Sequence, residues 1–179
     1  MRWDVLDAPP EKIALARELV RVCSASGWGS AALRAGSEVA LQDPERWRLL
    51  FPAGSRDAIW FISEVSDASM RATFEDAPAR TMTEVILERL SQNTALKPFV
   101  RRVMMFDLLH PFQALARMQR TSRAMFACLM PSPSRVTGAP VTMLNLAYTA
   151  IVFAWLFDPK GEGGLTRNLT ARLMAALKL

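Results

Sequence analysis

In a chain of 179 residues with one histidine, acid–base and metal chemistry have few starting points. His110 follows Asp107 by three residues, which sets a carboxylate and an imidazole on one helix face. A metal centre in a helical bundle needs two such elements and further carboxylates. Pro111 follows directly, so His110 reads as a helix-end residue, where an imidazole also suits the helix dipole. Glu84 and Glu88 share a helix face, as solvated glutamates commonly do. A Ser or Cys nucleophile needs a base, and only His110 is available. Cys23 and Cys128 stand far apart with no CxxC, against both a disulfide framework and a Cys-rich metal site. They read as two buried thiols in a reducing compartment. No GxGxxG, P-loop or GxSxG occurs, and "GEGG" at 161–164 is a flexible connector. No metal, no cofactor and no enzymatic activity are expected.

The chemistry on offer is apolar. Met104, Met105, Leu108, Leu109, Phe112, Met125, Phe126, Leu129, Tyr148, Ile151, Val152 and Trp155 fall at helical spacing on three predicted helices. Such a set is either plain core or the lining of a wide apolar cavity, and adaptable Met side chains suit an irregular ligand. Near the end, Leu165, Leu169, Leu173, Ala176 and Leu177 cluster on one helix face. Arg167 and Lys178 lie opposite, with Arg172 at the apolar edge, where its stem can snorkel. A cationic amphipathic helix of this kind lies in the surface of an anionic membrane or packs on the protein body.

These residues need elements to carry them, and nearly every segment has helical periodicity. Pro9 and Pro10 open a helix with Ile13, Ala16, Leu19, Val20 and Cys23 on one side, ended by Gly27. Ser30 is expected to cap a short helix to about Ala40, and Asp43 the next, with Pro44 at its first position. Ser55 is expected to cap a longer one striped by Ala58, Phe61, Ile62, Val65, Ala68 and Ala72. Further helices are expected over 81–92, 98–109 and 111–129, then a loop "MPSPSRVTGAP", a long helix over 141–157 and a last one over 165–179. Residues 136–157 carry no charge, near the length of a membrane span, but Pro140 shortens the helix. It is expected to be a core helix, apolar and buried all round. The fold class is all-α, a bundle of eight or nine helices. Length predicts a single compact unit, with an N-terminal part over 1–75 and a C-terminal part over 76–179. The N-terminus has no secretory or transit pattern, so a cytoplasmic location is expected.

Two short helices near an N-terminus suggest a DNA-binding helix-turn-helix, and the layout is that of a TetR-type domain. Charge argues otherwise. Residues 28–60 hold four Arg and four acids, and the second short helix begins with Asp43 and Glu45, where phosphates would approach. The positive charge lies later: residues 97–135 hold seven Lys or Arg against Asp107 alone. A segment this basic suits anionic headgroups or an acidic partner.

"GWGSAALRAG" and "RLLFPAGSRDAI" carry a family likeness in Gly27, Trp28, Phe51, Pro52 and Gly54. "LNLAYTAIVFAWLFD" adds Leu144, Tyr148, Trp155, Leu156 and Asp158. On these motifs the chain resembles the coenzyme Q biosynthesis protein nine family, ubiquinone accessory proteins with a TetR-like fold. It departs from the family in the loop before the long helix and in Pro159-Lys160 after Asp158. The resemblance implies a vestigial helix-turn-helix and a non-catalytic, lipid-binding protein. It implies an isoprenoid quinone intermediate held by the apolar residues of 104–155 and presented to a demethoxyubiquinone hydroxylase. Association with the inner membrane from the cytoplasmic side would run through Leu165, Arg167, Leu169, Arg172, Leu173, Leu177 and Lys178. A homodimer follows by analogy. The alternative is a TetR-type, ligand-responsive transcriptional regulator.

Overall fold

The computed structural model describes residues 1–129, 138–158 and 164–178. Among them the chain is all-α, with nine α-helices and no strand. The helices are α1 (Pro10–Ser26), α2 (Ser30–Leu41), α3 (Trp47–Leu50), α4 (Ser55–Thr73), α5 (Met82–Gln92), α6 (Lys97–Leu109), α7 (Pro111–Leu129), α8 (Ala139–Phe157) and α9 (Gly164–Leu177). Most of the loop at 130–140, and Pro159-Lys160 with most of "GEGG", lie outside the described residues.

Local chemistry accounts for the boundaries. Pro10, Pro98, Pro111 and Pro140 each sit in a first turn, where a missing N–H costs nothing. Gly27 ends α1 at a φ of 80°, which a side chain would resist. Thr81 caps α5: its hydroxyl accepts the Glu84 N–H at 3.2 Å, while the Glu84 carboxylate accepts the Arg80 N–H at 3.0 Å. Three expected caps differ: Ser55 is the first residue of α4, and the Ala58 N–H bonds back to the Gly54 carbonyl at 3.1 Å. Ser30 is the first residue of α2, not its cap, which is Gly29. The Asp43 carboxylate accepts the Glu45 N–H at 2.9 Å, but this makes a turn over 44–46, and α3 is left with four residues.

The chain forms two compact units. The first holds Arg2–Val65 and Ala95–Ala114; the second holds Met1, Ser66–Thr94 and Leu115–Leu179. The expected single unit, parted at 75/76, is not the observed division. The chain leaves the first unit inside α4, returns for α6, and leaves again inside α7. The reason is apolar: α6 buries Phe99 and Val103 in the first unit, and Trp28 packs on Phe99 with ring centroids 5.5 Å apart.

In the first unit, α1 buries Leu15, Ala16, Leu19 and Cys23 and packs on α2 and α6. Gly36 permits a close approach of α2, since a Cβ there would lie 2.8 Å from Leu19 Cδ2. Phe51 is fully buried beside Phe61, and the Lys12 ammonium lies 5.3 and 4.9 Å from these two rings.

In the second unit, Met82, Val85 and Ile86 of α5, Met125 and Phe126 of α7, Leu144, Ile151 and Trp155 of α8 and Met174 of α9 are buried. Here α8 corrects its expectation. It buries one face, including Val141, Leu144, Asn145, Ile151 and Trp155, and leaves an apolar face in solvent. Only 39 % of its apolar window is buried, although the helix is long and apolar enough to cross a membrane.

Candidate functional site

The twelve residues expected to line one cavity divide between the units. Met104, Met105, Leu108, Leu109 and Phe112 belong to the first. Met104 is half-buried, but Met105, Leu108, Leu109 and Phe112 are 63, 75, 78 and 87 % exposed. They form the end of α6 and the start of α7, around a corner set by His110. The His110 ring stacks on Phe106 with centroids 4.1 Å apart, and its Nδ1 lies 2.9 Å from the Phe106 carbonyl oxygen. The imidazole is thereby tied to its own helix end. Exposed Arg101 lies one turn before Met105. These residues make an apolar surface with a basic neighbour, a pattern common where proteins meet lipid.

The other seven belong to the second unit. Met125, Phe126, Ile151 and Trp155 are buried; Leu129, Val152 and Tyr148 are half-buried. Tyr148 belongs to a polar brace that spacing did not reveal. Asp67 and Arg89 are only 3 and 6 % exposed, and their ion pair measures 2.5 Å. Arg120 donates to Asp67 at 3.2 Å and the Thr121 hydroxyl donates to it at 3.1 Å. Arg89 Nε donates to the Tyr148 hydroxyl at 2.9 Å. Burial alone would lower the Arg89 pKa, but Asp67 and Tyr148 hold it above its ordinary value. Burial raises the Tyr148 pKa against the pull of Arg89. The brace thus ties α4, α5, α7 and α8 through charged hydrogen bonds. Beside it the Ser122 hydroxyl donates to the Asn145 side-chain amide oxygen. Arg89 sits on the inward face of α5 beside Val85, Ile86 and Leu90, and a charge on an apolar face was the signal available.

Helix α9 packs on α5 and α8. It buries Thr166, Thr170 and Met174, not the expected leucine row. Leu169, Leu173 and Leu177 are half-buried; Leu165, Arg167, Arg172 and Lys178 are exposed. Hydrogen bonding explains the choice of face. The Asp158 carboxylate accepts the Thr166 hydroxyl at 2.9 Å, and the Thr170 hydroxyl donates to the Thr166 carbonyl at 2.8 Å. Satisfied in this way, the threonines enter the core at little cost.

In the N-terminal segment, Trp47 and Phe51 are buried and Leu50 half-buried. Arg46 pairs with Glu11 at 3.0 Å, and Arg48 and Arg34 pair with Glu45 at 2.6 and 3.5 Å. Both thiols are buried, and burial pushes Cys23 up to about 12 and Cys128 up to about 11. No group of three His, Cys, Asp or Glu poised to hold a metal ion occurs among the described residues.

The residues that carry the family likeness have structural roles. Gly27 ends α1, Trp28 packs on α6, Gly54 turns at a φ of 65°, and Asp158 anchors α9. No protein-family model, no curated protein and no solved structure matches the chain.

Proposed function

We propose that this protein is a non-catalytic lipid-binding accessory protein of ubiquinone biosynthesis. It takes an isoprenoid quinone intermediate from the inner-membrane surface, from the cytoplasmic side, and presents it to the demethoxyubiquinone hydroxylase. The observation that carries this reading is the exposed surface of Met105, Leu108, Leu109 and Phe112. Four large apolar side chains in water at one helix corner suit an isoprenoid tail or the acyl boundary of a membrane. The likeness of Gly27, Trp28, Phe51, Tyr148 and Trp155 to the ubiquinone accessory proteins supports the same reading.

A DNA-binding regulator, TetR-like in its first helices, is the competing reading. It needs cations free for phosphate and a helix long enough to lie in the major groove. Arg34, Arg46 and Arg48 are instead held by Glu45 and Glu11, and α3 is one turn long.

Organic extraction of the purified protein, followed by mass spectrometry, tests the proposal. A near-stoichiometric isoprenoid quinone or precursor is expected. Leu109→Asp with Phe112→Asp should lower its yield while the helical circular dichroism stays unchanged. An empty extract from folded, monodisperse wild-type protein overturns the reading.

A further inference from the structure

His110 is the one histidine of the chain, and all but one of its polar groups are engaged. It closes α6 and opens α7. Its N–H donates to the Asp107 carbonyl at 3.0 Å, and its carbonyl accepts the Gln113 and Ala114 N–H groups, both at 3.1 Å. Pro111 follows at the first position of α7, with its φ already fixed. The imidazole lies almost parallel to the Phe106 ring, with the two planes 13° apart. Its Nδ1 faces the Phe106 carbonyl oxygen at 2.9 Å. A carbonyl only accepts, so Nδ1 carries the proton and donates. In the neutral ring Nε2 then keeps its lone pair. Nε2 has no hydrogen-bond partner and is open to solvent.

We propose that His110 Nε2 is the axial ligand of a haem seated on the corner between α6 and α7. A lone imidazole is a poor site for a bare ion, which draws three or four ligands from the protein. No group of three His, Cys, Asp or Glu poised to supply them occurs among the described residues. Haem iron brings four nitrogens of its own and takes a single histidine from the chain. The hydrogen bond at Nδ1 is the support such a ligand needs. It fixes the tautomer, sets the ring orientation and makes Nε2 the better donor.

The surroundings suit a porphyrin. Met105, Leu108, Leu109 and Phe112 lie within five residues of His110, and all four are exposed. They offer an apolar surface to one face of the macrocycle. Arg101 and Arg102 are exposed on the same helix, and Asp107 is the one acid over residues 97–114. Positive charge is therefore at hand for the two propionates. An open corner covers one face of the ring and leaves the second axial position to water. The inference does not rest on the lipid reading: an isoprenoid tail uses the apolar side chains but has no use for Nε2.

Titration of the full-length protein with hemin, ferric protoporphyrin IX, tests this at the Soret band. A sharpened, red-shifted band that saturates at one hemin per chain is expected, with a Kd on the order of 1 μM. The signal has a single source, because the chain has no second histidine and both thiols are buried. His110→Ala should weaken hemin binding by about 10- to 100-fold and lose the shifted band. His110→Gln keeps a donor for the Phe106 carbonyl but offers iron no imidazole. It should retain wild-type circular dichroism and still lose the band. Metal-free protoporphyrin IX has no iron to ligate and should bind wild type and both variants alike, whereas Phe112→Asp should weaken both porphyrins. The absence of a saturable Soret change in the wild type overturns the proposal. So does a shifted band that survives in His110→Gln, which would leave hemin held by apolar contact alone. The yield of extracted lipid should be the same from His110→Gln as from wild type, so a failure here and a failure of the lipid reading are told apart.

Discussion

At the scale of single residues, Asp67 has the largest stake in stability. Its carboxylate is what Arg89 and Arg120 both point at, and Arg89 is almost wholly out of water. Removing one partner of such a pair strands the other charge. Asp67→Asn should destabilise by about 3–5 kcal/mol. Asp67→Leu combined with Arg89→Met should recover much of that loss, because a well-packed apolar pair carries no stranded charge. Urea titrations of the three proteins decide it; additive losses in the double variant would refute the account. Tyr148→Phe removes one charge-assisted hydrogen bond and should cost about 1.5–3 kcal/mol. The thiols give a pH prediction. Their folded values of about 12 and about 11 lie above the ordinary 9.0. Below the ordinary value both states hold the thiol proton, so nothing changes. Above it the unfolded chain ionises first, so stability falls as pH rises from about 9 towards 12. Thermal midpoints at pH 8 and 10.5 should therefore differ less in Cys23→Ala than in the wild type; equal differences would contradict the assigned cause.

At the scale of elements, Asp158 and Gly36 carry the sharpest expectations. Asp158→Ala frees the Thr166 hydroxyl and N–H at the start of α9 and should cost about 1 kcal/mol or more. Amide exchange should rise in α9 before it rises in α8, and uniform exchange would mean that the cap is unimportant. Gly36→Val forces a branched side chain against Leu19 and should cost about 1–3 kcal/mol. A variant as stable as wild type would show that α1 and α2 can part freely. Most elements were legible because their cues are local. Pro98 and Pro111 mark two helix starts, and of the stripe that spacing drew on α4, Ala58, Phe61, Ile62, Val65 and Ala68 are buried and Ala72 is half-buried. Features that join distant residues were not legible. The partner of Arg89 is Asp67, 22 positions back on another helix, and no periodicity links them. In α9 periodicity favoured the leucines. The buried row is threonine and methionine, because a side chain counted as polar is satisfied by Asp158 and by its own helix. The candidate site divided for a similar reason. Met105 and Met125 look alike in sequence, yet one is open to water and the other fully enclosed.

At the scale of the whole molecule, the interleaved division of the chain makes its own prediction. The first unit takes α6 from beyond residue 94, so a fragment ending at residue 75 lacks Phe99 and Val103. Such a fragment should lose cooperative melting, with the apolar face of α1 uncovered and Trp28 without its ring partners. A sharp thermal transition in that fragment would show that the N-terminal helices are self-sufficient. The same division bears on synthesis. As the chain leaves the ribosome, residues 2–65 wait for the stretch at 95–114, and residues 66–94 wait for everything after 115. Neither half of the molecule is finished when the other begins. During that interval Val85, Ile86 and Leu90 are uncovered in a nascent chain, and a slow translation step between residues 94 and 115 would lengthen their exposure to chaperones and to aggregation.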